Sequence, residues 1–391
     1  MSDDRFAGER FHYCVSNPPF GKPWEMDKDV VQREHSEQKF EGRFGPKLPR
    51  ISDGSMLFLL NLVSKLELPE RGGGRGAIVL SGSPLFNGNA GQGESEIRRY
   101  LLEKDFVEAI IALPTEIFFR TGIGTYIWLL SNKKPAHRKG KVQLIDATEL
   151  HTSMRKSEGN KRREILPDQI REIVNMYAAF EPTKQSRIFD YQEFGYRRIK
   201  VLRPLRKKIV ISQVGIDTLV EQTAWTKLDE GQKSGWLDCF KGLLGTEHEW
   251  HWIESWAKKK AKADDDLGTI NATLVRAFQN AFGVRDPEVE PVVDKHGDVI
   301  ADDDLTDFEN VPMGVDVRDY LAQEVLPHAE DAWIYETYRD ETDGGIGVVG
   351  YEINFNRYFY EYQPPRDLEL IDADLKAVEA EIAALLAEVT E

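Results

Sequence analysis

The stretch CVSNPPFGKPW, residues 14–24, ends an apolar run with an asparagine, two prolines and an aromatic ring close to the start of the sequence. Adjacent prolines fix their own φ angles and offer no backbone N–H, so a strand cannot run on through Pro18 and Pro19. The preceding FHYCVS (11–16) is short and rich in aromatic and β-favouring residues, the composition of a strand. A strand that halts in a short, stiff, polar-then-aromatic corner is the expected local structure. Such a corner serves either as a simple turn or as a place for chemistry.

Working outward, strand-like and helix-like patterns alternate. GSMLFLLNLVSKLEL (54–68) repeats its apolar residues at helical spacing, and ESEIRRYLLEK (94–104) does the same. RGAIVLSGS (75–83), FVEAIIALP (106–114), TYIWLLSN (125–132) and KVQLIDA (141–147) read as buried strands. Nearly continuous apolar strands between helices predict an α/β sheet covered on both faces. Ligands in such folds lie beyond the C-terminal ends of the strands. The NPPF corner follows a strand, so it falls where chemistry is expected.

Residues 148–208 read as a basic helix-and-loop region. After about 209 the chain becomes polar, helical and tryptophan-rich, with Trp225, Trp236, Trp250, Trp252 and Trp256, and an acidic, turn-rich stretch follows at 294–310. A final helix is predicted after Pro364 and Pro365. Its Leu368, Ile371, Leu375, Val378, Ile382, Leu385 and Val389 alternate steps of three and four, an a/d heptad seam. Such a seam either docks on its own domain or takes a partner helix.

The 391 residues are enough for two to three domains, and 41% apolar with 30% charged residues is a globular composition. No run approaches the roughly 18 apolar residues of a membrane span. MSDDRFAGERFHYC lacks an apolar signal region, so a cytoplasmic location is expected. Cys14 and Cys239 stand far apart with no metal-like spacing, which fits a reducing compartment. The net charge of −16 divides into +9 over residues 1–210 and −25 over 211–391. A basic half keeps nucleic-acid binding open; two differently composed domains would give the same split.

The corner has the parts for one difficult reaction. An exocyclic amino group is a poor nucleophile because its lone pair is conjugated with the ring. Accepting hydrogen bonds from both of its N–H bonds pushes the nitrogen toward a nucleophilic geometry. An Asn side-chain oxygen provides one acceptor and a carbonyl held rigid by proline the other. An aromatic ring can stack on a base flipped out of the duplex. Asn17, Pro18, Pro19 and Phe20 supply those parts in order; the alternative is a strand-ending turn with a packed Phe.

SNPPFG resembles the catalytic motif of the amino methyltransferases acting on adenine N6, cytosine N4 or glutamine side chains. GAIVLSGSPLFNGNAGQGESEIRRYLLEKDFVEAIIALPTEIFFRTGIGTYIWLLSNKKP (76–135) is similar to the modification (methyltransferase) subunit of type I restriction-modification systems. RIFDYQEFGYRRIKVLRPLR (187–206), ENVPM (309–313), EVLPHAEDAWI (324–334) and GYEINFNRYFYEYQPPRDLELI (350–371) resemble that family too. The resemblance implies a class I, Rossmann-like methyltransferase sheet, present in part, then a mostly helical C-terminal region ending in a coiled-coil-like helix. It implies adenine-N6 DNA methylation with S-adenosylmethionine as donor, Asn17 and the Pro18 carbonyl binding the amino group, and Phe20 stacking on adenine. Implied partners are double-stranded DNA, a specificity subunit docked on the C-terminal helix, and a restriction subunit in the full complex; no membrane is involved. Expected divisions are the catalytic part at 1–208, a helical acidic region at 209–345 and a docking segment at 346–391.

One departure from the family is large. The Gly-rich donor loop and an N-terminal helical domain normally precede NPPF, and here sixteen residues do. The expectation is a chain corresponding to the C-terminal portion of the subunit, with the 11–16 strand as an open apolar edge and weak donor binding at best. A catalytically inert assembly fragment is the rival reading. Among other segments, RGGGRG (71–76) precedes a strand instead of opening a helix, so it fails as a phosphate loop. GNAGQGES (88–95) reads as a flexible loop near the flipped base or a plain linker. HEWHW brings His248 and His251 together without a third ligand, and the Asp-rich stretch lacks the calcium-loop order; no metal site is expected. Arg155, Lys156, Lys161, Arg162 and Arg163 in MRKSEGNKRRE (154–164) form either a phosphate-contacting loop or a solvated one.

Overall fold

The structure is a computed structural model that describes residues 2–119, 121–362, 365 and 367–390. Two compact units comprise residues 1–194 with 351–391, and residues 195–350. The divisions expected from the sequence fall at 208 and 345. The difference at the first division has a physical origin: Gly195–Leu202 pairs along its length with Asp307–Pro312 and so belongs with the later residues.

The first unit is an α/β sheet of six strands: β1 (Tyr13–Ser16), β2 (Arg75–Ser81), β3 (Val107–Leu113), β4 (Thr125–Ser131), β5 (Lys141–Asp146) and, beyond a hairpin, β8 (Ser186–Asp190). Their order is β1-β2-β4-β3-β5-β8. β1 pairs parallel with β2 and β3 with β5, while β4 is antiparallel to both β2 and β3. β1, β2, β3 and β5 therefore all end at one edge of the sheet. β3 is buried at every position, as its nearly continuous apolar run predicts for a central strand covered on both faces; the exception in the run, Glu108, is buried against Arg75 at 2.7 Å. The Ser55–Ser64 helix packs on β2 and the Pro167–Ala179 helix on β5. Ile173 of the latter joins Ile111, Leu113, Ile145 and Ala147 in one core cluster. At the other end of the order, β1 is the edge strand among the described residues, with Tyr13 and Val15 80% and 86% exposed.

Residues 148–208 depart from the helix-and-loop expectation. β6 (Thr152–Glu158) and β7 (Lys161–Glu164) form an antiparallel hairpin around Gly159, whose φ of +61° suits a residue without a Cβ. Charges on both faces hid the strand period that an apolar face would have marked.

In the unit 195–350, β9 (Gly195–Leu202) carries β13 (Asp307–Pro312) and β14 (Trp333–Ile334) and also pairs with β15 (Val348–Tyr351). β10 (Lys207–Val210) lies between β11 (Glu247–Glu249) and β12 (Gly283–Arg285). Four helices, Gln213–Val220, Glu230–Lys241, Trp252–Ala263 and Ala272–Phe282, surround Trp225, Trp236, Phe240, Phe278 and Phe282. The tryptophans are thus a core, with Trp236 donating its indole N–H to the Leu267 carbonyl at 3.1 Å.

After β15 the chain returns to the first unit. Ile353 N–H donates to the Leu85 carbonyl at 2.8 Å, and Phe355 meets Tyr126 edge to face at 5.3 Å. Arg98, fully buried, donates to the carbonyls of Tyr351, Pro84 and Asn87. A cation with no water around it needs such oxygens on every side. The last helix is Leu368–Thr390; Pro364 and the side chain of Val389 lie outside the described residues. Among the described residues no helix is long and apolar enough to cross a membrane.

Candidate active site

The corner starts where β1 ends. Ser16 pairs with Ile78 of β2, and the prolines then release the chain from the ladder. Asn17 and Pro19 are exposed, Pro18 is buried and Phe20 is half-buried. Among the described residues neither the Asn17 side chain nor the Pro18 carbonyl has a hydrogen-bond partner. Both acceptors are therefore unused among the described residues. The Phe20 ring meets Phe118 edge to face, centroids 5.8 Å apart at 74°, a favoured aromatic arrangement.

Residues 21–24 hold the corner still. Gly21 turns the chain at φ +57°. The Lys22 carbonyl accepts from Gly54 N–H at 2.9 Å, Trp24 N–H donates to the Ile51 carbonyl at 3.0 Å, and the Trp24 indole donates to the Arg50 carbonyl at 2.9 Å. Trp24 is 4% exposed, so its ring is the anchor of the loop. Position 54 has little room: a Cβ there would stand 3.3 Å from the Lys22 carbonyl oxygen.

A second polar group lies at the end of β2. Ser83 donates its hydroxyl to Asp53 at 2.6 Å, Ser81 and Ser83 hydroxyls lie 3.0 Å apart, and Asp53 also accepts from Ser55 N–H at 3.0 Å. Burial raises the Asp53 carboxyl, but the hydrogen bonds from Ser55 and Ser83 and the Arg50 charge outweigh it and hold the group below its ordinary value. Asp53 therefore ties the start of the Ser55–Ser64 helix to the sheet edge beside the corner. Sequence reading missed it; a lone Asp before a helix looks like an ordinary cap.

The basic residues come close to the corner through one loop. Phe118 lies in the segment after β3, and the β6–β7 hairpin is stitched to that segment. The backbone N–H groups of Arg162 and Arg163 both donate to the Glu116 carbonyl, and Asn160 N–H donates to the Phe119 carbonyl at 3.0 Å. Arg155, Lys156 and Arg162 are exposed, and Lys161 and Arg163 are half-buried. Arg163 also donates to the Thr115 hydroxyl at 3.1 Å and faces Glu116 at 3.9 Å, so part of its role is internal.

Other candidates carry less. Gly88–Gly93 is tethered: Lys47 donates to the Gly91 carbonyl at 3.0 Å, and Arg98 donates to Asn87 and Gly88. Glu94 accepts from Arg50 N–H at 3.1 Å, and a Cβ on Gly93 would lie 1.9 Å from the Leu48 carbonyl oxygen. The start of the Gly93–Glu103 helix is therefore covered and offers no anion cradle. His248 stacks on Trp252 at 3.6 Å, and His251 bonds the Val293 carbonyl at 2.7 Å. Among the described residues no group of three or more metal-ligating side chains occurs. A cavity of about 690 Å³ is lined by Arg10, Glu34, Arg43, Lys65, Tyr100 and Phe106. Phe106 precedes β3, so this cavity lies at the edge of the sheet away from the corner.

For S-adenosylmethionine the fit is poor. Among the described residues no Gly-rich turn joins a strand to a helix whose N-terminus is open, which such a donor's cradle requires.

Residues 1–194 match the N-6 DNA methylase family. The type I restriction enzyme MjaIX methylase subunit of Methanocaldococcus jannaschii is 26% identical over 206 residues, 52% of this chain and 34% of that protein. The MjaVII methylase subunit of the same organism is 28% identical over 46% of this chain and 30% of its own length. The chain spans about a third of the length of these curated relatives. Among solved structures, the type I restriction-modification methyltransferase subunit from Streptococcus thermophilus is 28% identical with a TM-score of 0.40, covering 48% of this chain and 36% of that one.

Proposed function

Residues 1–194 belong to the N-6 DNA methylase family, and from that membership we propose that the chain carries the base-binding half of an adenine-N6 DNA methyltransferase, as part of a type I restriction-modification modification subunit. The observation that carries the reading is the corner itself. Asn17 and the Pro18 carbonyl present two acceptors, unused among the described residues, beyond the C-terminal end of a parallel strand, with Phe20 braced beside them on Phe118.

In this reading the flipped adenine stacks on Phe20, and its amino group donates one N–H to the Asn17 oxygen and the other to the Pro18 carbonyl. Those bonds localise the nitrogen lone pair, and Pro19 and the Trp24 anchor keep the acceptors in place. Arg155, Lys156, Lys161 and Arg162 contact DNA phosphates beside the flipped base, with Arg163 shared between phosphate and Thr115. The family generally uses S-adenosylmethionine, which supplies the methyl group. The complex is cytoplasmic. Sequence choice rests with a specificity subunit that the Leu368–Thr390 helix docks, and a restriction subunit completes the assembly.

The lack of a donor cradle among the described residues favours one second reading: an assembly fragment without chemistry of its own. The test is methyl transfer from S-adenosylmethionine to duplex DNA with the specificity subunit present, with and without the N-terminal half of a relative. N6-methyladenine only in the complemented mixture supports the first reading. No product in either mixture, with the complex formed, supports the second.

A further inference from the structure

The Leu368–Thr390 helix leaves its apolar seam in solvent: Leu375, Val378, Ile382 and Leu385 are each more than half exposed. With Leu368 at heptad position a and Ile371 at d, Leu375 and Ile382 fall at a and Val378 and Leu385 at d. The heptad then fixes the flanking columns. Beyond Leu385 the columns continue with Leu386 at e and Glu388 at g; within the seam, Asp372 and Glu379 occupy e, and Asp374 and Glu381 occupy g. Every one of these four is acidic and exposed. The helix's single basic residue, Lys376, falls at b, where it pairs with Asp372 at 2.7 Å along the same helix. Ala373 and Ala380 fill the outermost column.

We infer that this helix is built to pair with a basic amphipathic helix, one with apolar a and d positions and Lys or Arg at e and g, and not with a second copy of itself. The e and g residues border the seam and decide which partner is accepted. In a parallel self-pair e of one helix faces g of the other; in an antiparallel one e faces e and g faces g. Acid meets acid either way, so orientation cannot relieve the repulsion. A basic partner turns the same four positions into cross-helix ion pairs while covering the seam. From Leu368 to Leu385 the seam is about 26 Å long, the length of a three-heptad partner. The inference rests on the reading of this helix as a docking element, and not on methyl transfer.

The test titrates the full chain into two labelled three-heptad peptides that share Leu and Ile at a and d, one with Lys and one with Glu at e and g. Anisotropy should show the Lys peptide binding about tenfold tighter or more, from four exposed pairs, with the gap closing at 0.5 M salt. The variant Asp372→Lys/Asp374→Lys/Glu379→Lys/Glu381→Lys, its helix content checked by circular dichroism, should reverse the preference. Equal binding of both peptides, no binding of either, or a dimer in sedimentation that vanishes on deleting 368–390 would overturn the inference. Loss of methyl transfer in the reconstituted complex leaves it standing. Binding of the Lys peptide without capture of the specificity subunit would refute only the choice of that subunit as partner.

Discussion

Trp24 is the residue whose loss should loosen the corner most. Its ring is 4% exposed, and its indole N–H reaches the Arg50 carbonyl at 2.9 Å. Removing a buried aromatic side chain costs about 3–5 kcal/mol, so Trp24→Ala should raise local opening of this region by about two to four orders of magnitude. Trp24→Phe keeps most of the packing and deletes one hydrogen bond, worth about 1 kcal/mol, a change of about fivefold. A global unfolding midpoint is a poor readout, because the chain has two compact units. Hydrogen exchange reads the region directly through two amides, Trp24 N–H bonded to Ile51 and Gly54 N–H bonded to Lys22. Both should exchange faster together in Trp24→Ala, while amides of β9 stay as they were. Unchanged protection of Gly54 in that variant would refute the anchoring argument.

Three further outcomes are expected from the same geometry. Asp53 sits below its ordinary value near 3.8, so the stability it contributes is full above that value and is lost as pH falls through its folded pKa. Exchange of the 50–57 amides should therefore quicken more steeply below pH 4 in the native chain than in Asp53→Asn. Replacing Arg155, Lys156, Lys161 and Arg162 by Gln should lower the salt slope of DNA affinity by about 0.9 for each phosphate no longer neutralised, whereas Arg163→Ala should also disturb Phe119 and Asn160 in exchange. Calorimetry of the isolated chain with S-adenosylmethionine should give at most weak binding, and a micromolar Kd would show that a donor cradle exists here after all.

Much of the first unit was legible because burial writes a simple pattern. The nearly continuous apolar run of β3 marked a strand covered on both faces, and the spacing in Ser55–Ser64 marked a helix with a broad buried face. The corner was legible for the opposite reason, since two prolines forbid the ladder that the apolar run begins. The β6–β7 hairpin was not, because a two-stranded ribbon exposed on both faces needs no apolar alternation; only Gly159 hinted at its turn. The return of Tyr351–Phe359 to the first unit was hidden as well. It depends on Arg98 and Ser95, more than 250 residues away in sequence from the groups they bind, and local patterns do not record such pairings. Asp53 escaped because its partner Ser83 reaches it only once β2 lies beside the corner.

The central claim is that the open acceptors at Asn17 and Pro18 activate an adenine amino group. Single-turnover methyl transfer by the complete complex, native against Asn17→Ala, tests it most directly. Loss of one acceptor aimed at a developing transition state should slow transfer by about 10²–10³-fold, with DNA affinity within about twofold of native. A rate within threefold of native would contradict the claim.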